Sequence, residues 1–176
     1  LGLILLANSK TSVDYATSGL ENPLTHLAIV LFAWQLRRSD VGEGNLFRLT
    51  LISSLAAVNR MDSILLFLPT LGHVAWRLSG RQALRATLLG FVPFLLWELF
   101  SLVYYGFPFP NTAYAKLSTG LSRFDLIGQG MNYVLDSVVN DPLTPLTIAV
   151  GIGWPLVARE RPQKALAMGI ASYVVY

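Results

Sequence analysis

Long apolar runs broken by arginines at every second connection constrain this chain more than anything else in it. The runs cover Leu24 to Leu36, Leu46 to Val58, Ser63 to Leu78, Leu84 to Tyr105, Pro142 to Ala158 and Ala165 to Tyr176. Crossing a hydrocarbon core ~30 Å thick takes roughly 20 helical residues, so by length the Leu84 to Tyr105 run is the one that spans unaided. The shorter runs must borrow polar flanks, tilt, or lean on neighbours. Between them stand Arg37 and Arg38, then Arg77, Arg81 and Arg85, then Arg159, Arg161 and Lys164. Basic connections of this kind face the cytoplasm, which puts Asn8 to Asn22, the Asn59 to Asp62 turn and Gly106 to Asp141 on the other side.

Composition agrees with a membrane setting. Hydrophobic residues make up 53% of the chain and charged residues 13%, against roughly 25% charged in soluble domains; mean hydropathy is +0.53. The net charge of +3 is read as topology and not as a nucleic-acid surface, because the arginines gather between apolar runs without a basic, aromatic stripe. With no cysteine, disulfides and thiolate metal sites are excluded. No repeat or low-complexity linker divides the chain, and it begins and stops inside apolar runs. The expectation is an all-α polytopic transmembrane bundle over 1–176, a single domain truncated at both ends. Leu126 to Val139 places Leu126, Ile127, Met131, Val134, Leu135 and Val138 on one helical face, which predicts a helix lying at the interface within a long outer loop.

Three polar clusters fall on the outer side: Asp14 to Asn22 (DYATSGLEN), Asn59 to Asp62 (NRMD) and Asn111 to Lys116 (NTAYAK). Pro108 and Pro110 hold the last of these away from regular helix. Charged groups near membrane depth are costly unless they pair, line a wet cavity or meet a charged ligand. Asp14, Glu21, Arg60 and Lys116 could converge there, the carboxylates orienting hydroxyls and the cations meeting an anionic headgroup. Plainer roles stand beside these. Asp62 could cap the helix after it, Arg60 could be an exposed charge, Lys116 could snorkel, and Ser18-Gly19 could be an ordinary turn. Glu98 is either a cavity-facing acid or an interfacial group. His26 and His73 read as hydrogen-bonded packing residues, Asp136 and Asp141 as solvating or capping groups. Tyr15, Tyr104, Tyr105, Phe107, Phe109 and Tyr114 suit either a sugar or isoprenoid groove or an interfacial belt.

In order and spacing, Asp14 to Asn22, Arg60-Met-Asp62, Tyr104 to Lys116 and Gln129-Gly-Met-Asn-Tyr-Val resemble the membrane-embedded C-type glycosyltransferases of bacterial envelopes. The likeness is greatest to the terminal arabinofuranosyltransferases of mycobacteria and their relatives. It implies a multi-pass enzyme of the bacterial inner membrane, active on the extracytoplasmic side. Such an enzyme moves a sugar, with inversion, from a polyprenyl-phosphate donor to an envelope glycan or glycolipid. Arg60 and Lys116 would then bind the donor phosphate. Asp14, Ser18, Glu21, Asn22, Asp62, Asn111 and Tyr114 would hold sugar or acceptor. The family's catalytic base lies in its first outer loop, expected upstream of these residues. No cofactor is called for; a divalent cation is allowed, although no ligand set argues for a metal. A flippase or transporter of lipid-linked sugar, and a noncatalytic scaffold, are the competing readings; helices broken at midplane would favour the transporter.

Overall fold

The computed structural model describes residues 22–38, 41–108, 122–157 and 161–175. These residues form eight α-helices and no strand. They are α1 (Asn22–Arg38), α2 (Glu43–Asn59), α3 (Ile64–Ala75), α4 (Gly80–Gly90), α5 (Val92–Tyr105), α6 (Arg123–Asn140), α7 (Leu143–Val157) and α8 (Arg161–Val175), with a 3₁₀ turn at Met61–Ser63.

Helix α2 is the hub, packed by α1, α3, α4 and α5. Apart from Asn45, its buried residues are small or aliphatic and cover about half of its circumference: Leu46, Leu49, Thr50, Ser53, Ser54, Ala56 and Ala57. Small residues let neighbouring backbones approach, and they do so here at Gly90 of α4, which lies against the Thr50 side chain. The apolar core joins Ala28 and Phe32 of α1, Leu46, Leu49 and Ala56 of α2, and Leu66, Phe67, Leu71 and Val74 of α3, with Phe32 and Phe67 4.6 Å apart between ring centroids.

Contacts at the helix ends establish direction. Gln35 Nε2 donates to Asn45 Oδ1 at 3.1 Å, joining the end of α1 to the start of α2. At the opposite end Asn59 Nδ2 donates to Thr25 Oγ1 at 2.9 Å. Helix α3 folds back beside α2, and α8 lies antiparallel along α3 with Gly169 on the Leu66 carbonyl. The α4–α5 segment runs parallel to α2, through Arg85 near Glu43 at 3.7 Å, Thr50 near the Ala86 carbonyl, and Ser54 near Phe94. One end of the bundle therefore gathers Asn22, Asn59, Arg60 and Asp62. The other gathers Arg37, Arg38, Arg85, the Arg77 connection and Lys164.

The Leu84 to Tyr105 run, expected as one spanning helix, is two helices bent by 51° at Phe91. Among the described residues no single helix is both long enough and apolar enough to cross a membrane; this bent pair is, by length and composition. Pro93, in the first turn of α5, brings no amide to the ladder and its ring crowds the carbonyl four residues back. The break is tied to α2: Ser54 Oγ accepts the Phe94 amide at 3.0 Å, and Thr50 Oγ1 lies 2.8 Å from the Leu46 carbonyl and 3.2 Å from that of Ala86. Beyond the bend, Leu95, Leu96, Trp97, Leu99, Phe100, Leu102 and Val103 of α5 are all exposed. Helix α5 ends at Gly106, whose φ of 77° is the left-handed conformation that glycine adopts at little cost.

Helix α6 starts at Ser122, whose hydroxyl accepts the Asp125 amide at 3.2 Å, and packs chiefly on α7. The segment expected at the interface is helical, and Leu126, Ile127, Met131, Val134, Leu135 and Val138 are exposed along it.

Candidate functional site

The sharp turn between α2 and α3 brings together three of the residues singled out by sequence. Arg60 has extended backbone (φ −146°, ψ 109°) between two helices, so its side chain leaves the bundle end and does not continue a helical face. Its guanidinium grips Asp62 with both prongs, Nε to Oδ1 at 3.1 Å and Nη2 to Oδ2 at 2.9 Å. Nη1 donates to Asn22 Oδ1 at 3.2 Å, across from the first turn of α1. The Arg60 and Asp62 side chains are 31% and 23% exposed, a half-buried pair in which two parallel charge-assisted bonds outlast what a surface ion pair would give.

In place of a helix cap and a lone surface charge, the two side chains form an ion pair with each other. Asp62 lies inside the 3₁₀ turn with its carboxylate on Arg60, and no side chain caps the start of α3. Ser63 Oγ instead donates back to the Arg60 carbonyl at 2.6 Å, tightening the turn. Arg60 is paired and not a lone surface charge. Thr25 and Ser63, which sequence reasoning passed over, brace the site from α1 and from the turn. Thr25 carried a readable signal, since it opens the inward stripe Thr25, Ala28, Phe32 and Gln35 on α1.

Asp14, Ser18, Glu21, Asn111, Tyr114 and Lys116 lie outside the described residues, as do Tyr15 and Phe109. Tyr104 and Tyr105 are exposed at the end of α5, where Tyr104 stacks on Phe100 at 5.4 Å and meets Tyr105 edge-on at 4.8 Å. Glu98 is half-buried on the same helix. Its Oε1 is shut from solvent with no hydrogen-bond partner among the described residues. It lies one turn past Phe94, the residue held by Ser54, and so on the side of α5 that faces α2.

The two histidines differ. His26 is exposed, against the expectation of a packing residue, because it falls beside the inward stripe of α1 and not on it. His73 is half-buried and lines a cavity of about 360 Å³ with Pro69, Lys164, Ala165 and Met168. Asp141 closes α6 and accepts from Thr144 Oγ1 in the first turn of α7 at 2.8 Å, and Asp136 is an exposed acceptor for Asn140 at 2.7 Å. Among the described residues no three His, Asp or Glu side chains gather as a metal site.

No family model and no solved structure matches the chain. It is distantly similar to a terminal β-(1→2)-arabinofuranosyltransferase of Mycobacterium tuberculosis, with 32% identity over 165 residues, covering 85% of this chain and 25% of that protein. The chain thus spans about a quarter of the length of the relative it matches.

Proposed function

We propose that the chain is part of a multi-pass bacterial inner-membrane glycosyltransferase that uses a polyprenyl-phosphate sugar donor and acts on the extracytoplasmic side. The observation that carries this reading is the similarity to the arabinofuranosyltransferase along most of the chain. The apolar exterior of α5 and the bent α4–α5 pair support the membrane setting. The Arg60–Asp62–Asn22 cluster supports a polar site at the end of the bundle remote from Arg37, Arg38 and Arg85.

In the reaction, an acceptor hydroxyl of an envelope glycan or glycolipid gives its proton to a base and attacks the anomeric carbon. The carbon–oxygen bond to phosphate breaks, and the polyprenyl phosphate leaves with the electron pair. Positive groups placed at that phosphate lower the barrier as charge develops on it. Lys116 and Arg60 are assigned this role. Asp14, Ser18, Glu21, Asn22, Asp62, Asn111 and Tyr114 are assigned to sugar and acceptor hydroxyls, with arabinofuranose the sugar suggested by the relative.

The test uses the complete protein in lipid with radiolabelled polyprenyl-phosphate sugar and an envelope glycan acceptor, comparing the parent with Lys116→Ala, Arg60→Ala and Arg60→Lys. Transfer by the parent and its loss in folded Lys116→Ala and Arg60→Ala is the expected result. The broken α4–α5 pair favours a second reading, a transporter of lipid-linked sugar, because transporters bind at discontinuous helices. Donor translocation without transfer would establish that reading. No interaction with donor would leave a scaffold.

A further inference from the structure

The α3–α8 groove lies at the arginine-rich end, away from the Arg60 cluster, and the proposed chemistry makes no use of it. Gly169 lets α8 touch the Leu66 carbonyl of α3. One to two turns further along, toward Lys164, a cavity of about 360 Å³ opens between the two helices. Its walls are Pro69 and His73 from α3, and Lys164, Ala165 and Met168 from α8. Three of the five are apolar, and the charged one, Lys164, is exposed at the rim. Trp76, 91% exposed, stands one turn past His73.

We propose that this groove binds one anionic phospholipid of the leaflet at that end, its phosphate on Lys164 and the upper part of an acyl chain against Pro69, Ala165 and Met168. The inference rests on the membrane setting proposed above. Charge complementarity argues for the occupant. Lys164 is the cation on the groove's wall, and among the described residues the acid at that end of the bundle, Glu43, already stands beside Arg85. Basic pockets between helices on a cytoplasmic face suit anionic headgroups. Lysine presents a compact point charge to a phosphate, and Lys164 stands in the first turn of α8, where the helix dipole also favours an anion. An exposed tryptophan at this level marks the headgroup depth the lipid would occupy.

The complete protein is placed in nanodiscs of phosphatidylcholine and phosphatidylglycerol, and retained lipids are counted by native mass spectrometry. The parent is expected to retain phosphatidylglycerol selectively. Lys164→Gln should lower that preference about five-fold, the loss of one cation near a headgroup. Met168→Trp, at a half-open position (60% exposed) that tolerates a larger side chain, should fill the groove and abolish the preference. Arg81→Gln, exposed but not lining the groove, should leave it unchanged. Equal losses in Lys164→Gln and Arg81→Gln would mean a diffuse basic field and overturn the site, as would undiminished retention in Met168→Trp. Alkaline extraction separates this failure from that of the membrane setting. Protein that resists extraction yet shows no selectivity sinks only the lipid site, whereas protein released by alkali sinks both.

Discussion

Gly169→Ala tests the close backbone contact between α8 and α3. A Cβ on Gly169 would fall inside the envelope of the Leu66 carbonyl oxygen, with the carbonyl carbon at 2.8 Å. That carbonyl belongs to helical backbone and has no rotamer to yield, so α8 would have to move off α3 by about an ångström. Overpacking of this sort costs about 1–3 kcal/mol. Alanine also returns up to about 1 kcal/mol of helix propensity, which would blur a single measurement. Gly72→Ala on α3 supplies the correction, because a Cβ there meets nothing within 4 Å. Both substitutions gain the same propensity, and their difference isolates the clash. Thermal or denaturant unfolding of the complete protein in detergent should therefore find Gly169→Ala about 1–3 kcal/mol less stable than Gly72→Ala. Equal stability of the two variants would refute the close α3–α8 packing.

Gly90→Ala should also destabilise, by about 1–2 kcal/mol, because its Cβ would stand 2.6 Å from Thr50 Cβ and 3.0 Å from the Phe47 carbonyl; unfolding measured beside Gly72→Ala checks this. A double-mutant cycle on Arg60 and Asp62 should return a coupling of about 1–2 kcal/mol that persists in 0.5 M salt; a coupling that vanishes on adding salt would reduce the pair to a surface contact. Glu98→Gln keeps shape while removing a charge whose Oε1 has no partner among the described residues, and should raise stability by about 1 kcal/mol in the same unfolding assay. A fall in stability would mean that the carboxylate is satisfied by something bound.

The meeting of Asn22 with Arg60 was legible from sequence because both stand in connections of one parity, opposite the arginine clusters. Alternation of polar connections along antiparallel helices is enough to place such residues at one end. The break in Leu84 to Tyr105 was not legible from hydropathy, which sums side chains and ignores backbone. It depends on Pro93 and on Thr50 and Ser54, which lie some forty residues earlier and become relevant once α2 runs alongside. Gln35 and Asn45 escaped notice for a similar reason. Gln35 sits in an apolar run, and its value as a donor depends on the antiparallel register that delivers Asn45 Oδ1 to it. His26 was expected to be a hydrogen-bonded packing residue, although the spacing of Thr25, Ala28, Phe32 and Gln35 already marks one inward stripe that excludes it.

The pairing seen at Arg60 also changes how the proposed reaction divides its labour. A guanidinium bonded through two prongs to Asp62 forms, with it, a unit of no net charge, and its long-range pull on a phosphate is small. An anionic donor approaching that end competes with a carboxylate fixed two residues away on the same turn. Lys116 is under no such sequence-imposed pairing, since no acid lies nearer to it than Asp125 and Glu98 in the chain. On the proposed reading the attraction for the lipid phosphate therefore falls mainly to Lys116, while Arg60, held by Asp62 and Asn22, sets where the phosphate and sugar rest. The two alanine variants should then fail in different ways. Loss of Lys116 weakens donor capture and is felt most at low donor and high salt. Loss of Arg60 leaves Asp62 half-buried without its cation, and is felt even when donor saturates.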